Sequence, residues 1–181
     1  DASPLASITS LRALLIAHNE VGTLGDISRL MHLQFLDADV NALTDASGFA
    51  ALTDLTFLGL ADNQLTDLGP LAGLDRLRTL RVDGNPTGDV AALVTTAYPH
   101  LRTLGVSDDQ VGGLDALTGL ADRLRHLVLR GPGFDTLAAL PEFAELRVLR
   151  LEDSTVTDFS PLEALPHLSA VGLARNGISD L

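Results

Sequence analysis

The sequence predicts an α/β solenoid, a horseshoe-shaped arc with a parallel sheet of eight strands on its concave face and short 3-10 or α-helical turns on its convex face. Two observations predict this fold class. A pattern of leucines recurs eight times at intervals of 22 to 24 residues. Within each recurrence two apolar residues, mostly leucines, alternate with other residues, as in a strand that buries one face. A period of this length indicates stacked repeats that pack only against their neighbours.

The repeat has the pattern L-x-x-L-x-L-x-x-N-x-L, and its positions are numbered here from the first leucine. The eight first leucines are Leu11, Leu33, Leu55, Leu77, Leu101, Leu124, Leu146 and Leu168. The fourth position is leucine in seven repeats and valine, Val171, in the eighth. We therefore assign residues 1–181 to one repeat domain, in which residues 1–10 are the convex half of a partial repeat. Because neither end carries a polar cap, we expect this domain to be a fragment of a longer chain.

Each part of the repeat has a physical role. Positions 3 to 5 form the strand, and the asparagine at position 9 turns the chain and bonds to the adjacent turn. An Asp such as Asp67 or Asp158 then begins a short helical turn, which Pro and two leucines pack against the core. In the fourth repeat, Asp89–Tyr98 predicts a longer α-helix that Asp89 caps and Pro99 ends. The asparagine is absent from three repeats, which have Asp109, Pro132 and Ser154 in its place.

Two segments show the convex motif in full. Thr66–Leu74 reads T-D-L-G-P-L-A-G-L, and Thr157–Leu165 reads T-D-F-S-P-L-E-A-L. These motifs and the period of 22 residues resemble the leucine-rich repeat family, in its bacterial internalin and phosphatase-regulator type. The resemblance implies a curved solenoid without catalytic activity that binds a partner on its concave face.

Composition narrows the classes of partner. The net charge of −12 and the pI near 4.5 disfavour nucleic acid and anionic membranes, because phosphate binding needs a concentrated positive field. There is no cysteine, and no apolar stretch is long enough to span a bilayer. We expect a cytoplasmic location, with an extracellular or cell-surface one as the alternative.

The outward residues of each strand, at positions 3, 5, 7 and 8, form the candidate binding surface. Position 3 places Phe35 beside Phe57, and an exposed aromatic pair of this kind indicates an interface. The alternative is that the two rings lie flat over neighbouring side chains, or that the rest of a longer chain covers them. The predicted partner-binding residues on the concave face are Leu15, Phe35, Asp37, Asp39, Phe57, Asp62, Arg81, Asp83, His126, Arg130, Arg150 and Glu152.

The charges on this face allow two interpretations. The acidic side chains near the Phe pair and the arginines further along predict a bipolar ligand surface. Alternatively, the charges pair internally, with Glu152 beside Arg130 and Asp83 beside Arg81. Arginines at position 2 suggest, less strongly, an anion-binding ladder; they are Arg12, Arg78, Arg102, Arg125 and Arg147.

No catalytic motif is present in the sequence. Asp37 and Asp39 alone make a poor calcium site, so we expect no metal and no cofactor. We expect a protein or peptide partner, which includes other domains of the same chain. The predicted function is recognition within a larger bacterial signalling or defence protein. The alternatives are an extracellular adhesion domain and a regulatory subunit that docks on an enzyme such as a phosphatase.

Overall fold

A computed structural model describes residues 2–178, which form one parallel sheet of eight strands in sequence order. The strands are β1 (Ala13–Leu15), β2 (Phe35–Asp37), β3 (Phe57–Gly59), β4 (Thr79–Arg81), β5 (Thr103–Ser107), β6 (His126–Arg130), β7 (Val148–Glu152) and β8 (Ala170–Gly172). The 3-10 turns span Ser3–Ser7, Ile27–Arg29, Ser47–Ala51, Gly69–Gly73, Leu114–Leu120 and Ser160–Ala164. Two short α-helices complete the fold, α1 (Ala91–Thr96) and α2 (Asp108–Val111). The predicted solenoid is therefore confirmed, while the chain ends on which the expectation of a fragment depended, Asp1 and 179–181, lie outside the described residues.

The strands pair in the register that the repeat predicts, position by position. Leu36 of β2 pairs with Leu14 on one side and Leu58 on the other, and the position-4 column continues in this way to Val171. These leucines are buried between the sheet and the convex turns, whereas Val171, in the last strand, is 43 % exposed. Because equivalent residues become neighbours, each repeat position forms a column across the sheet.

The asparagines at position 9 join each repeat to the one before it. The Asn63 carboxamide nitrogen donates to the Ala38 carbonyl of the preceding repeat at 3.0 Å and to the Leu60 carbonyl of its own repeat at 3.1 Å. Its oxygen accepts the Leu43 N–H at 3.0 Å. One buried side chain thus satisfies three backbone groups where the chain leaves the strand. The predicted structural ladder is confirmed, and Asn176 continues it in the eighth repeat.

In the fifth repeat Gln110 takes over this role, one residue after the position where the sequence has Asp109. Asp109 is exposed, whereas Gln110 is fully buried. The Gln110 side chain accepts the Ser107 N–H at 2.8 Å and donates to the Val82 carbonyl of the preceding repeat at 2.9 Å. The longer side chain reaches the same carbonyl from α2, which follows β5 directly. The apparent gap in the ladder is therefore filled at this position.

The helix of the fourth repeat is shorter than predicted, since α1 covers Ala91–Thr96 and not Asp89–Tyr98. The Asp89 carboxylate accepts the Ala91 N–H at 2.8 Å, while Val90 N–H donates to the Gln110 carbonyl of the next repeat. At the other end the Tyr98 ring is fully buried, and its hydroxyl donates to the Leu71 carbonyl at 3.2 Å. Val90 and Tyr98 lie outside the helix because they bond to the two neighbouring repeats.

We expect Gln110→Met to lower the free energy of unfolding by about 2 kcal/mol, because it leaves the Ser107 N–H buried without a partner, while the Val82 carbonyl keeps its bond from Asn85. Urea denaturation followed by circular dichroism measures the change. Gln64→Met is the matched control, since Gln64 is exposed. Equal stability of the two variants would contradict the bridging role of Gln110.

Position 8 has a left-handed backbone in seven repeats, and in the second repeat a valine occupies it. Val40 has φ of +56° and is 37 % exposed, and a β-branched residue is strained in this region. We expect Val40→Asn to raise the free energy of unfolding by about 1 kcal/mol, since Asn tolerates this conformation.

Val40→Thr is the control, because it introduces polarity but keeps the β-branch. If Thr stabilised the protein as much as Asn does, exposure of the valine and not backbone strain would be the cause.

Candidate functional site

The concave face of the sheet holds an open groove of about 740 Å³. Nine of the predicted partner-binding residues line it, namely Asp39, Phe57, Asp62, Arg81, Asp83, His126, Arg130, Arg150 and Glu152. Leu15, Phe35 and Asp37 lie on the same face, on β1 and β2. Sequence reasoning missed His18, Val40 and Arg175, which also line the groove. All three occupy position 8, so the repeat alignment contained the signal that they face outward.

Phe35 and Phe57 stack face to face, as the column at position 3 predicts. Their ring centroids are 4.0 Å apart and the ring planes differ by 10°. Both side chains are only partly buried. The column continues with Ala13 on one side and Thr79 on the other, and neither side chain is large enough to cover the outer ring faces. The pair is thus an exposed apolar surface near the end of the groove.

One ion pair of the groove joins Asp39 to Arg81 with an N–O distance of 2.6 Å. The two residues lie on either side of Gly59, where an added methyl group would be 2.8 Å from the Asp39 carboxylate. Glycine at position 59 therefore leaves the space in which this pair forms. The sequence analysis placed Asp83 beside Arg81, but the close contact of Arg81 is with Asp39, because its side chain extends across Gly59 toward the second repeat.

Arg130 reaches further along the groove and contacts three acidic residues. Its guanidinium bonds to Asp62, three repeats away, lies 3.2 Å from the Asp153 carboxylate, and is 4.0 Å from that of Asp83. The Arg130 side chain passes over Gly84 on its way to Asp62. A side chain at position 84 would be too close to both Asp62 and Arg130. This contact over three repeats follows from the curvature of the sheet, which brings distant rungs together on the inner side.

The pairing of Glu152 differs from the expectation. Glu152 and Arg130 are neighbours in the register of β6 and β7, yet Glu152 forms its ion pair with Arg175 at 2.9 Å. Arg175 also bonds to Asp153 at 2.8 Å. The bipolar surface is therefore wrong in its simple form, because Arg81 and Arg130 neutralise two of the carboxylates near the Phe pair.

Two carboxylates lie at the floor of this network. Asp39 is 3 % exposed, and burial raises its pKa from 3.8 to about 6, against the opposing effects of Arg81 and of the Ala61 N–H that it accepts at 2.7 Å. Burial likewise raises the pKa of Asp83. Desolvation of each carboxylate thus outweighs its pairing with arginine.

Two of the predicted charged residues have no counter-ion in the part of the chain that the structure describes. They are Asp37, beside the Phe pair, and Arg150, on β7; no oppositely charged atom of a described residue lies within 4 Å of either. The search of the described residues finds no group of three His, Cys, Asp or Glu side chains able to hold a metal. The same residues include no helix long and apolar enough to cross a membrane.

The arginines at position 2 lie at the edge where the strands begin, outside the groove. Their main-chain carbonyls accept hydrogen bonds from the next repeat, as Arg78 does from Arg102 at 2.8 Å. Arg125 lies 3.9 Å from Glu145, and Arg102 donates to the Leu101 carbonyl. No bond joins this column to the charges of the groove.

Solved structures with the same fold are leucine-rich repeat proteins. Internalin C2 of Listeria monocytogenes is 27 % identical over 97 % of this chain and 77 % of its own, with a TM-score of 0.66. The functional domain of InlJ from the same organism is 23 % identical over 98 % of this chain and 37 % of its own, with a TM-score of 0.68. That domain includes a cysteine ladder, whereas this chain has no cysteine.

Internalin F of Listeria monocytogenes is 20 % identical over 96 % of this chain, with a TM-score of 0.58, and this chain spans 64 % of its length. No protein-family model and no curated protein matches the sequence. The fold comparisons nevertheless agree with the repeating solenoid and its parallel sheet. The chain has the leucine-rich repeat fold that these internalins have.

We expect Asp39→Asn to stabilise the protein in a pH-dependent way. Since the pKa of Asp39 is raised on folding, the folded state binds its proton more tightly than the unfolded chain does, so the ionised carboxylate costs stability above pH 6. That cost disappears as the pH falls below about 4. Asparagine keeps an oxygen for the Ala61 N–H without the charge. The free energy of unfolding of the variant should therefore exceed that of the wild type by about 1 to 3 kcal/mol at pH 8.

Urea denaturation at pH 8 and pH 3.5 measures this difference, which should nearly vanish at the lower pH. Asp75→Asn, at an exposed turn, is the control and should show no such trend. A difference for Asp39→Asn that stays constant with pH would argue against the raised pKa.

Proposed function

We propose that this solenoid is a non-catalytic recognition module that binds a protein partner on its concave face, around the stacked Phe35–Phe57 pair. The carrying observation is that two stacked aromatic rings lie partly exposed on the concave face of the sheet. Exposed aromatic clusters beside a polar rim are characteristic of interaction surfaces. Leu15, which is 67 % exposed, extends this patch onto β1.

The groove supports binding better than chemistry. Three of its four arginines, Arg81, Arg130 and Arg175, are engaged with carboxylates. No serine or histidine that lines the groove is placed with a carboxylate in the way that a catalytic triad needs. We propose that the module is the sensing part of a larger bacterial signalling or defence protein in the cytoplasm. In that arrangement another domain would produce the response.

A second candidate is an extracellular adhesion domain, which the similarity to internalins of Listeria monocytogenes favours. The two candidates differ in where the partner is found. A sensing module would capture a protein of its own cell, whereas an adhesion domain would capture a surface protein of another cell.

The test is affinity capture from a lysate of the source organism and from solubilised surface proteins of candidate host cells. Phe35→Ser/Phe57→Ser should abolish capture of the specific partner, because it removes the aromatic surface without adding charge. The matched control is Ala50→Ser/Ala72→Ser on the exposed convex turns, which should capture as the wild type does. Circular dichroism confirms that all three proteins are folded.

Capture that the Phe variant retains in full would contradict binding at the stacked pair. Capture that the control loses as well would place the interface on the convex side.

A further inference from the structure

The end of the concave face formed by β1, β2 and β3 combines an aromatic surface with an unpaired carboxylate. Asp37 follows Phe35 by two residues on the same strand, so both side chains lie on the same face of the sheet. The outer face of Phe35 borders Ala13, whose methyl group is small, and the Phe35 side chain is only partly buried. A ring face and a carboxylate are therefore available side by side.

The carboxylate of Asp37 has acceptor capacity that the protein does not use. Its Oδ1 atom accepts one long hydrogen bond from the Asp39 N–H at 3.4 Å. The partner of Asp37 in the register on β3 is Gly59, so no side chain of that position covers the carboxylate; a methyl group there would lie 3.1 Å from Asp37 Oδ1. No arginine or histidine nitrogen of the described residues comes within 4 Å, because Arg81 is bonded to Asp39 instead.

The charge of the whole face has the same sign as this carboxylate. Positions 3, 5, 7 and 8 of the second to eighth repeats carry seven carboxylates, Asp37, Asp39, Asp62, Asp83, Asp108, Glu152 and Asp153. The arginines of the same positions are Arg81, Arg130, Arg150 and Arg175. In the first three repeats these positions contain no arginine, although Arg81 and Arg130 reach in from later repeats to pair with Asp39 and Asp62. The unpaired charge beside the Phe pair is therefore that of Asp37, which attracts a cation.

We propose that the partner presents a basic segment to this end of the face, with an arginine or lysine next to an apolar side chain. The cation pairs with Asp37, its stem or guanidinium plane lies against Phe35 above Ala13, and the apolar neighbour packs on Leu15. Cations over aromatic rings and charge-assisted bonds to carboxylates are favourable together, and arginine satisfies both. This inference rests on the proposed function and adds the chemistry of the partner.

An acidic segment is the opposite possibility, and the charge distribution disfavours it. Arg150 is the one arginine of these four without a carboxylate within 4 Å among the described residues, and it lies on β7, four strands beyond β3. An acidic ligand bound there would leave the aromatic pair uncovered. An acidic segment placed on the pair would face Asp37.

The test is a selection from a random peptide display library on the wild-type domain, with counter-selection on the folded Phe35→Ser/Phe57→Ser variant. Enriched peptides should carry net positive charge, with Arg or Lys beside an aromatic or aliphatic residue. Synthetic copies of these peptides should bind Asp37→Asn about tenfold more weakly than the wild type, as expected for loss of one charge-assisted contact. Their binding to Asp75→Asn, the exposed control, should be unchanged.

Neutral or acidic enriched peptides, or equal affinity for Asp37→Asn and the wild type, would overturn the proposed chemistry. In either case the concave face remains the binding surface if affinity capture still depends on the Phe pair, so the two proposals fail separately. No enrichment over the Phe variant would overturn the basic-segment proposal as well. Weaker binding of the basic peptides in 0.5 M than in 0.05 M NaCl is a further expected result, because salt screens the ion pair.

Discussion

The structure depends on the in-register stacking of equivalent repeats, which the buried position-9 amides hold in place. A short strand followed by an abrupt turn leaves backbone groups inside the solenoid that water cannot reach. An amide such as that of Asn63 satisfies groups of its own repeat and of its neighbour, so it determines both the turn and the spacing of the rungs. In the fifth repeat, where Asp109 replaces asparagine, Gln110 forms equivalent bonds from the adjacent position.

In-register stacking converts repeat positions into columns, and the columns produce the surface. Phe35 meets Phe57 because both occupy position 3, and Gly59 creates an opening between the residues of the same column on β2 and β4. Strands about 4.7 to 4.9 Å apart need less room than the turns behind them, so the sheet lies on the inside of the arc. Curvature then allows the Arg130 side chain to reach Asp62 across three repeats.

Features that cost stability are concentrated on the concave side. Asp39 is buried with a raised pKa, Val40 has a strained backbone, and the Phe pair is left partly exposed. The columns of the core are by contrast regular, with leucine after leucine buried. The locally unfavourable residues thus cluster on one face, while the rest of the chain is consistent with its fold. Such a distribution is typical of a binding surface.

The sequence by itself determined the period, the strands, the asparagine ladder and the residues that face outward, because these depend on local patterns repeated eight times. The tertiary structure decided what the outward side chains do. Arg130 pairs with Asp62, Arg81 pairs with Asp39 and not with Asp83, and α1 is shorter than predicted. These outcomes all depend on side-chain length, glycine gaps and curvature over several repeats. No local pattern encodes those distances. For the same reason, only the tertiary structure shows that Asp37 is left unpaired beside the aromatic pair, because Arg81 bonds to Asp39 instead.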